Sequence, residues 1–400
     1  MEIISERIRN MAESETLAMT AKARELKAAG RDIISLSIGE PDFNTPETIK
    51  EAAKQAIDDN FTHYPPVPGY ADLREAVCTK LKRDNNLDYR PEQIVVSTGA
   101  KQSIYQLVQC LINPGDEVVI PTPFWVSYKE IVRVAGGKCV YVQTQLENDF
   151  KVTPAQLEAA ITPRTKLIMF SSPSNPTGML YSKEELRGIA DVVARHEGLF
   201  VMADEIYEHI NFVGRHESLA QFADVKERVI TVNGVAKGFA MTGWRIGYIA
   251  APLEIAKACN KLQGQVTSAT CSIAQKAAAK AMLLDPSTDP DINRMREIFR
   301  QRRDIVYDLL RAIPDVQVAL PQGAFYFFPD VSRYYGRSFE GNTIANSTDM
   351  AFYLLNQAGV ATVMGSAFGD DRCIRLSYAT SEELLREALR RIADALAKLK

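Results

Sequence analysis

Short, continuous apolar runs recur through the first two-thirds of the chain. They are IVVST (94–98), EVVIP (117–121), KLIMFS (166–171), LFVMA (199–203), RVITV (228–232) and RIGYIA (245–250). Between most of them lie segments with helical periodicity, such as QSIYQLVQCL and SKEELRGIADVVARH. Strands that are apolar throughout, rather than alternating, belong in a parallel sheet covered on both faces. Alternation with helices makes the class α/β. After residue 288 the pattern changes. DPDINRMREIFRQRRDIVYDLL (289–310) predicts a long charged helix reaching about residue 312. Short strands follow, VQVAL, AFYFF, VATV and CIRLS, mixed with the helical stretches STDMAFYLLNQAG and SEELLREALRRIADALAKL. A second, α+β unit is expected there.

Length and composition narrow the class. A chain of 400 residues suggests two domains. Hydrophobic residues at 46% and charged residues at 24% suit a globular enzyme. A formal net charge of −3 argues against a nucleic-acid partner. The six cysteines form no C-x-x-C pair and read as scattered thiols in a reducing, cytoplasmic setting. The four histidines show no metal-binding spacing, so no metal is expected. The first residues do not read as a signal peptide, and no membrane span is expected.

Ligands of open parallel sheets sit beyond the carboxyl ends of the strands, so the residues after each run are the candidates. After IVVST, Gly99 and Ala100 open a helix, where free N–H groups make a phosphate seat; ordinary turn chemistry explains the glycine equally well. Lys101 beside them reads as a ligand contact or as a solvated surface lysine. After KLIMFS, Asn175 lies in the turn-rich SPSNPTG, either as plain loop or as an amide aimed at a ligand. After LFVMA, Asp204 opens DEIYEHI, either as a helix N-cap or as a carboxylate at the ligand edge needing a cationic partner. Tyr207 lies one turn further on. After RVITV comes NGVAKGFAMTGWRIGYIAAP (233–252). Lys237, set among small and apolar residues, either snorkels to solvent or loses affinity for its proton and becomes a nucleophile. Arg245 either forms a structural ion pair or holds a phosphate.

Taken in order, S-x-G-E-P-D-F (37–43), S-P-x-N-P-T-G, D-E-I-Y, A-K-x-F-A-M-T-G-W-R-I-G-Y and R-L-S-Y-A-T (375–380) resemble the class I aminotransferases, aspartate aminotransferase branch. The resemblance spans essentially the whole chain. It implies a pyridoxal-phosphate-dependent transferase of fold type I, with a mostly parallel seven-stranded sheet and a smaller α+β domain. Residues 45–288 are then expected to form the large cofactor-binding domain, and 1–44 with 289–400 the small one.

The resemblance also implies roles. Lys237 would form the Schiff base with pyridoxal 5'-phosphate and later move a proton as general base and acid. Asp204 would keep the ring nitrogen protonated, with Tyr207 and Asn175 on the ring's phenolic oxygen. Arg245, Gly99 and Ala100 would hold the phosphate, and Trp125 in PTPFWVSY would stack on the ring. A serine found in many relatives three residues before the lysine is Gly234 here. Tyr64 in HYPPVPGY would serve the partner's phosphate, which implies a homodimer with shared active sites. Arg375 and Gly39 would take the substrate α-carboxylate, brought in by domain closure. Lys101, in G-A-K-Q, and Thr16 match contacts to a distal carboxylate. Some relatives that accept prephenate carry a basic residue where this chain has Ala12, which argues against efficient prephenate turnover. The expected reaction is ping-pong transfer of an amino group from aspartate to 2-oxoglutarate. The alternatives are an aminotransferase of broader or aromatic specificity, including prephenate, or a carbon–sulfur lyase on the same scaffold. A non-catalytic sensor lacks support in the absence of basic excess, and a dinucleotide-binding dehydrogenase lacks G-x-G-x-x-G.

Overall fold

The computed structural model describes residues 3–13 and 15–400. Seven strands form the main sheet: β1 (Ile94–Thr98), β2 (Glu117–Pro121), β3 (Lys138–Val142), β4 (Thr165–Ser171), β5 (Phe200–Asp204), β6 (Val229–Gly234) and β7 (Ile246–Ala250). Their spatial order is β1-β7-β6-β5-β4-β2-β3. All six apolar runs appear as strands. The seventh, β3, is an edge strand whose exposed Lys138 and Tyr141 break the apolar pattern, so the periodicity did not reveal it.

The sheet is parallel except for β7, which runs antiparallel to β1 and β6. The cause is the link from β6 to β7, residues 235–245, which holds no α-helix, only a 3-10 turn at Thr242–Trp244. A parallel return needs a crossover of a dozen or more residues, usually helical. This short link carries Lys237.

Alternate strand residues feed two cores. Val96, Ile168, Val201 and Tyr248 pack toward helices that include α1 (Ala71–Asn85). Val95, Val118, Met202 and Ile249 pack the other way, toward α2 (Ala100–Leu111). Both faces are therefore dry, as continuous apolar strands require.

A separate core lies under the C-terminal part, around Phe299, Phe325, Leu376 and Leu389. The long helix α3 (Pro290–Arg311) starts with Asp289 accepting from the Asp291 and Ile292 N–H groups and with proline in its first turn. Its first turn places Ile292 in the main-sheet core, and its remainder serves the C-terminal core. Tyr326–Phe327, Val363–Met364 and Ile374–Ser377 form an antiparallel three-stranded sheet. Ile34–Ser35 pairs parallel with Val360–Ala361, which ties the N-terminal segment to the C-terminal body. VQVAL, expected as a strand, makes only an isolated bridge, Gln317 with Asp330. Thr16 sits in the first turn of the helix Glu15–Ala28.

Candidate active site

A cavity of about 310 Å³ opens at the carboxyl edge of the main sheet, between the two bodies. Of the residues singled out from the sequence, Thr16, Gly39, Ala100, Lys101, Trp125, Asn175, Asp204, Tyr207, Lys237, Arg245 and Arg375 line it. Gly99 does not line it but packs against Arg245, which does. Tyr64 does not line it; that side chain is 97% exposed.

Lys237 leaves the end of β6 and turns into the cavity rather than snorkelling out. Its ammonium donates to the Gly39 carbonyl at 2.6 Å and lies 5.8 Å from the Tyr207 ring centre. Burial lowers its pKa to about 8, with Arg375 and Arg245 pushing the same way against Glu40 and Asp204. A lysine near neutrality delivers a free amine at physiological pH.

Asp204 ends β5, and a turn rather than a helix follows it, so it caps no helix. It is 5% exposed. Its carboxylate accepts from the Tyr128 hydroxyl at 2.9 Å and the Ile206 N–H at 3.3 Å, and among the described residues no cation forms an ion pair with it. Burial pushes its pKa up to about 6 against these hydrogen bonds. A carboxylate so placed gains from a cationic ligand.

The candidate anion seat lies at the start of α2. Gly99 has φ +81°, and a Cβ there would lie 2.5 Å from Arg245 Nη2. A Cβ on Gly247 would lie 2.2 Å from the Ala100 nitrogen. The helix start, Arg245 and β7 thus close on one another only because both positions are glycine. The Gln102 N–H donates to the Gly99 carbonyl at 3.0 Å, and the N–H groups ahead of it in the first turn, with the guanidinium beside them, form an anion cradle. At Gly234, a Cβ would lie 2.7 Å from the Ile246 carbonyl. A serine there does not fit this backbone.

Arg375 is 2% exposed and has only neutral partners, the Asn175 side-chain oxygen at 3.0 Å and the Ser37 carbonyl at 2.7 Å. Its Nε has no acceptor, and burial lowers its pKa. Tyr207 bonds Tyr326 through their hydroxyls at 2.8 Å. Lys101 lies 5.0 Å over the Trp125 ring and has no ion-pair partner among the described residues; burial, then Arg245, lowers its pKa. Thr16 Oγ1 is buried without a partner.

Two contributors escaped the sequence reading. Tyr326, in AFYFF, touches Tyr207, crowds Gly39 and lies 4.6 Å under the Arg375 guanidinium. Tyr128 lies three residues after Trp125, one helical turn on, and that spacing was the available signal.

A lone buried carboxylate, an amine of lowered pKa and an anion cradle fit the ring nitrogen, aldehyde and phosphate of pyridoxal phosphate. Residues 31–392 match the family described as aminotransferase class I and II, and the protein belongs to that family. It is a pyridoxal-phosphate-dependent aminotransferase. Within the family it is 47% identical over 395 residues to the aspartate/prephenate aminotransferase of Cereibacter sphaeroides, covering 98% of each chain. It is 46% identical over 391 residues to the aspartate aminotransferase of Geobacillus stearothermophilus, covering 97% of this chain and 98% of that one. The aspartate aminotransferase structure from Rhizobium meliloti superposes with TM-score 0.96 at 41% identity over 100% of both chains. The Thermus thermophilus aspartate aminotransferase with maleate does so with TM-score 0.93 at 42% identity, over 99% of this chain and 100% of that one. Among the described residues, no helix is long and apolar enough to cross a membrane.

Proposed function

We propose that the protein transfers the amino group of aspartate to 2-oxoglutarate, as a cytoplasmic homodimer. The observation that carries this is a pair of cations in one cavity, Arg375 and Lys101, neither facing a carboxylate of the protein. A dicarboxylic amino acid supplies one carboxylate to each. The Thermus relative was solved with maleate, itself a dicarboxylate.

Bound pyridoxal phosphate supplies an aldehyde and an electron-withdrawing ring that stabilises negative charge at the amino acid's α-carbon. Asp204 holds the proton on the ring nitrogen, and Tyr128 holds Asp204. Tyr207 and Asn175 donate toward the ring's phenolic oxygen. Arg245 and the Gly99–Ala100 turn grip the phosphate, and Trp125 stacks on the ring. Arg375, with the Gly39 backbone, fixes the α-carboxylate and so aims the α-hydrogen at Lys237. Lys237 Nζ then takes that proton and returns it. Lys101 and Thr16 hold the distal carboxylate. Both acids use one cavity, so the first product leaves before the second substrate binds, which gives ping-pong kinetics.

Residues 45–288 act as the large domain, and 1–44 with 289–400 as the small one. Arg375 and Gly39 then ride on the small domain, and closure expels water. The exposed Tyr64 reaches the partner subunit's phosphate. Comparing kcat/KM for aspartate and phenylalanine tests the reading; a phenylalanine lead of about tenfold, or about 1.4 kcal/mol, overturns it.

A further inference from the structure

Asp204 and Tyr207 do not account for all the chemistry in DEIYEHI. Glu208, the next residue, is 6% exposed and faces away from the cavity into a buried polar cluster. Its carboxylate contacts the fully buried Lys80 of α1 and accepts from Asn85 Nδ2 at 3.0 Å and from Asn233 Nδ2 at 2.7 Å. Lys80 also donates to Asn85 Oδ1 at 2.7 Å. Burial pushes the Glu208 carboxyl up, but Lys80 and the neighbouring His209 and His216 hold it well below the usual carboxylate range. Glu205, Glu208 and His216 bring ligand atoms within 4.8 Å of one another. The Lys80 ammonium already supplies a cation against Glu208, so a metal ion is not the occupant we infer.

Asn233 is where the cluster reaches the chemistry. It lies next to the last residue of β6, and its Oδ1 accepts from the Gly234 N–H at 2.7 Å. One residue earlier, the Val232 carbonyl accepts from the Glu205 N–H at 2.9 Å. On the far side of Lys237, a Cβ on Gly238 would lie 2.7 Å from His209 Cδ2. The link that carries Lys237 is therefore held before the lysine by Glu208 and after it by His209.

We propose that Glu208 and Asn233 are positioning residues that set the Lys237 amine against Asp204 and the substrate. The Glu208 carboxylate grips the Asn233 amide, and that grip fixes the end of β6 from which the lysine departs. The inference rests on Lys237 being the reactive amine.

Asn233→Ala removes the grip and leaves Lys80, Asn85 and Glu208 paired. The holoenzyme should lose about 10- to 100-fold in kcat for aspartate, with KM changed less than about threefold. A second readout does not depend on turnover. In cofactor-free protein, Lys237 is acylated with acetic anhydride across a pH series and quantified by mass spectrometry. The midpoint should move in the variant, although Asp204, Glu40, Tyr207, Arg375 and Arg245, the groups facing the amine, are unchanged. Lys80→Met/Glu208→Met replaces a buried ion pair by apolar side chains, a change that is often neutral for folding. Here it also takes the acceptor from the Asn85 and Asn233 amides, so the double variant should melt somewhat lower, and it should lose rate as Asn233→Ala does. A kcat within about twofold of wild type together with an unmoved acylation midpoint in Asn233→Ala overturns the inference. So does a stably folded double variant of full rate. If the double variant fails to fold, Asn233→Ala decides alone. Lys237→Ala separates the two failures: if that variant turns over normally, the assignment of the amine falls, and if it is inactive while Asn233→Ala is normal, only the positioning role falls.

Discussion

Asp204 is where folding and chemistry make opposite demands. In the cofactor-free protein burial raises its pKa from 3.8 to about 6, against the Tyr128 hydroxyl, the Ile206 N–H and, last, the Lys237 ammonium, which stabilise its charge. At about 1.4 kcal/mol per pKa unit, ionisation in place costs about 3 kcal/mol. The sign follows from proton binding. Between about pH 4 and pH 6 the folded chain holds this proton more tightly than the unfolded chain, so the group's contribution to stability falls as pH rises through that window. Above it the whole penalty is present. Asp204→Asn removes the charge and keeps the shape. The amide oxygen can accept from the Ile206 N–H while its nitrogen donates to the Tyr128 oxygen, and the displaced Tyr128 hydroxyl hydrogen can turn to the neighbouring Ser171 hydroxyl. Cofactor-free Asp204→Asn should therefore resist urea better than cofactor-free wild type at about pH 7.5, by about 1–3 kcal/mol. The gap should close as the pH is lowered toward about 4. With cofactor bound, a cation faces residue 204 and the order should reverse, with activity in the variant down by about 100-fold or more. Paired urea titrations at three pH values and one protein concentration test this. A wild-type apoprotein more stable than the variant near pH 7.5, or a gap indifferent to pH, refutes the reasoning.

Other substitutions separate the remaining parts of the site. Arg375→Lys keeps the charge but loses the two-pronged geometry, so kcat/KM should fall about 100-fold, or about 3 kcal/mol, for every amino acid alike. Lys101→Met should act on one class only. Lys101 is exposed, and a charge pair there is worth up to about 1 kcal/mol after screening, so aspartate should lose roughly fivefold in kcat/KM and phenylalanine little. Gly247→Ala sets a Cβ 2.2 Å from the Ala100 nitrogen. Backbone must move on both sides, and the cofactor Kd, read by absorbance titration, should rise about tenfold or more.

How much of this was legible in the sequence follows from how each element is stabilised. Strands buried on both faces read as continuous apolar runs, and six of the seven were visible for that reason. β3 has one neighbour and a wet face, and its pattern breaks at Lys138. The antiparallel sense of β7 depends on the brevity of the 235–245 link, which an apolar run does not report. Asp204, Asn175, Gly99 and Lys237 were legible because a parallel sheet presents its strand ends to the ligand. Arg375, Gly39 and Thr16 come from the other body, and only resemblance to a family brought them in. Tyr326 and Lys80 were silent, since each meets its partner across more than a hundred residues, Tyr207 across 119 and Glu208 across 128.

The balance of charge in the cavity argues for the substrate more directly than any one contact. Without ligands the site holds four cations, Lys237, Arg375, Arg245 and Lys101, against Asp204, with Glu40 nearby. The cations depress one another: Arg375 and Arg245 lower Lys237, and Arg245 lowers Lys101. Such an arrangement costs the empty fold stability and is sustained by the two surrounding cores. On the proposed reading a phosphate would satisfy Arg245, and an α-carboxylate would satisfy Arg375. Lys237 relieves the field by giving up its proton. One cation is then left, Lys101, held over Trp125 at the far side of the cavity. An apolar amino acid leaves it unpaired, whereas a second carboxylate completes the set. On the proposed reading, a preference for dicarboxylic substrates follows from pairing each cation of the cavity with an anion, with Lys101 as the residue whose partner the substrate would bring.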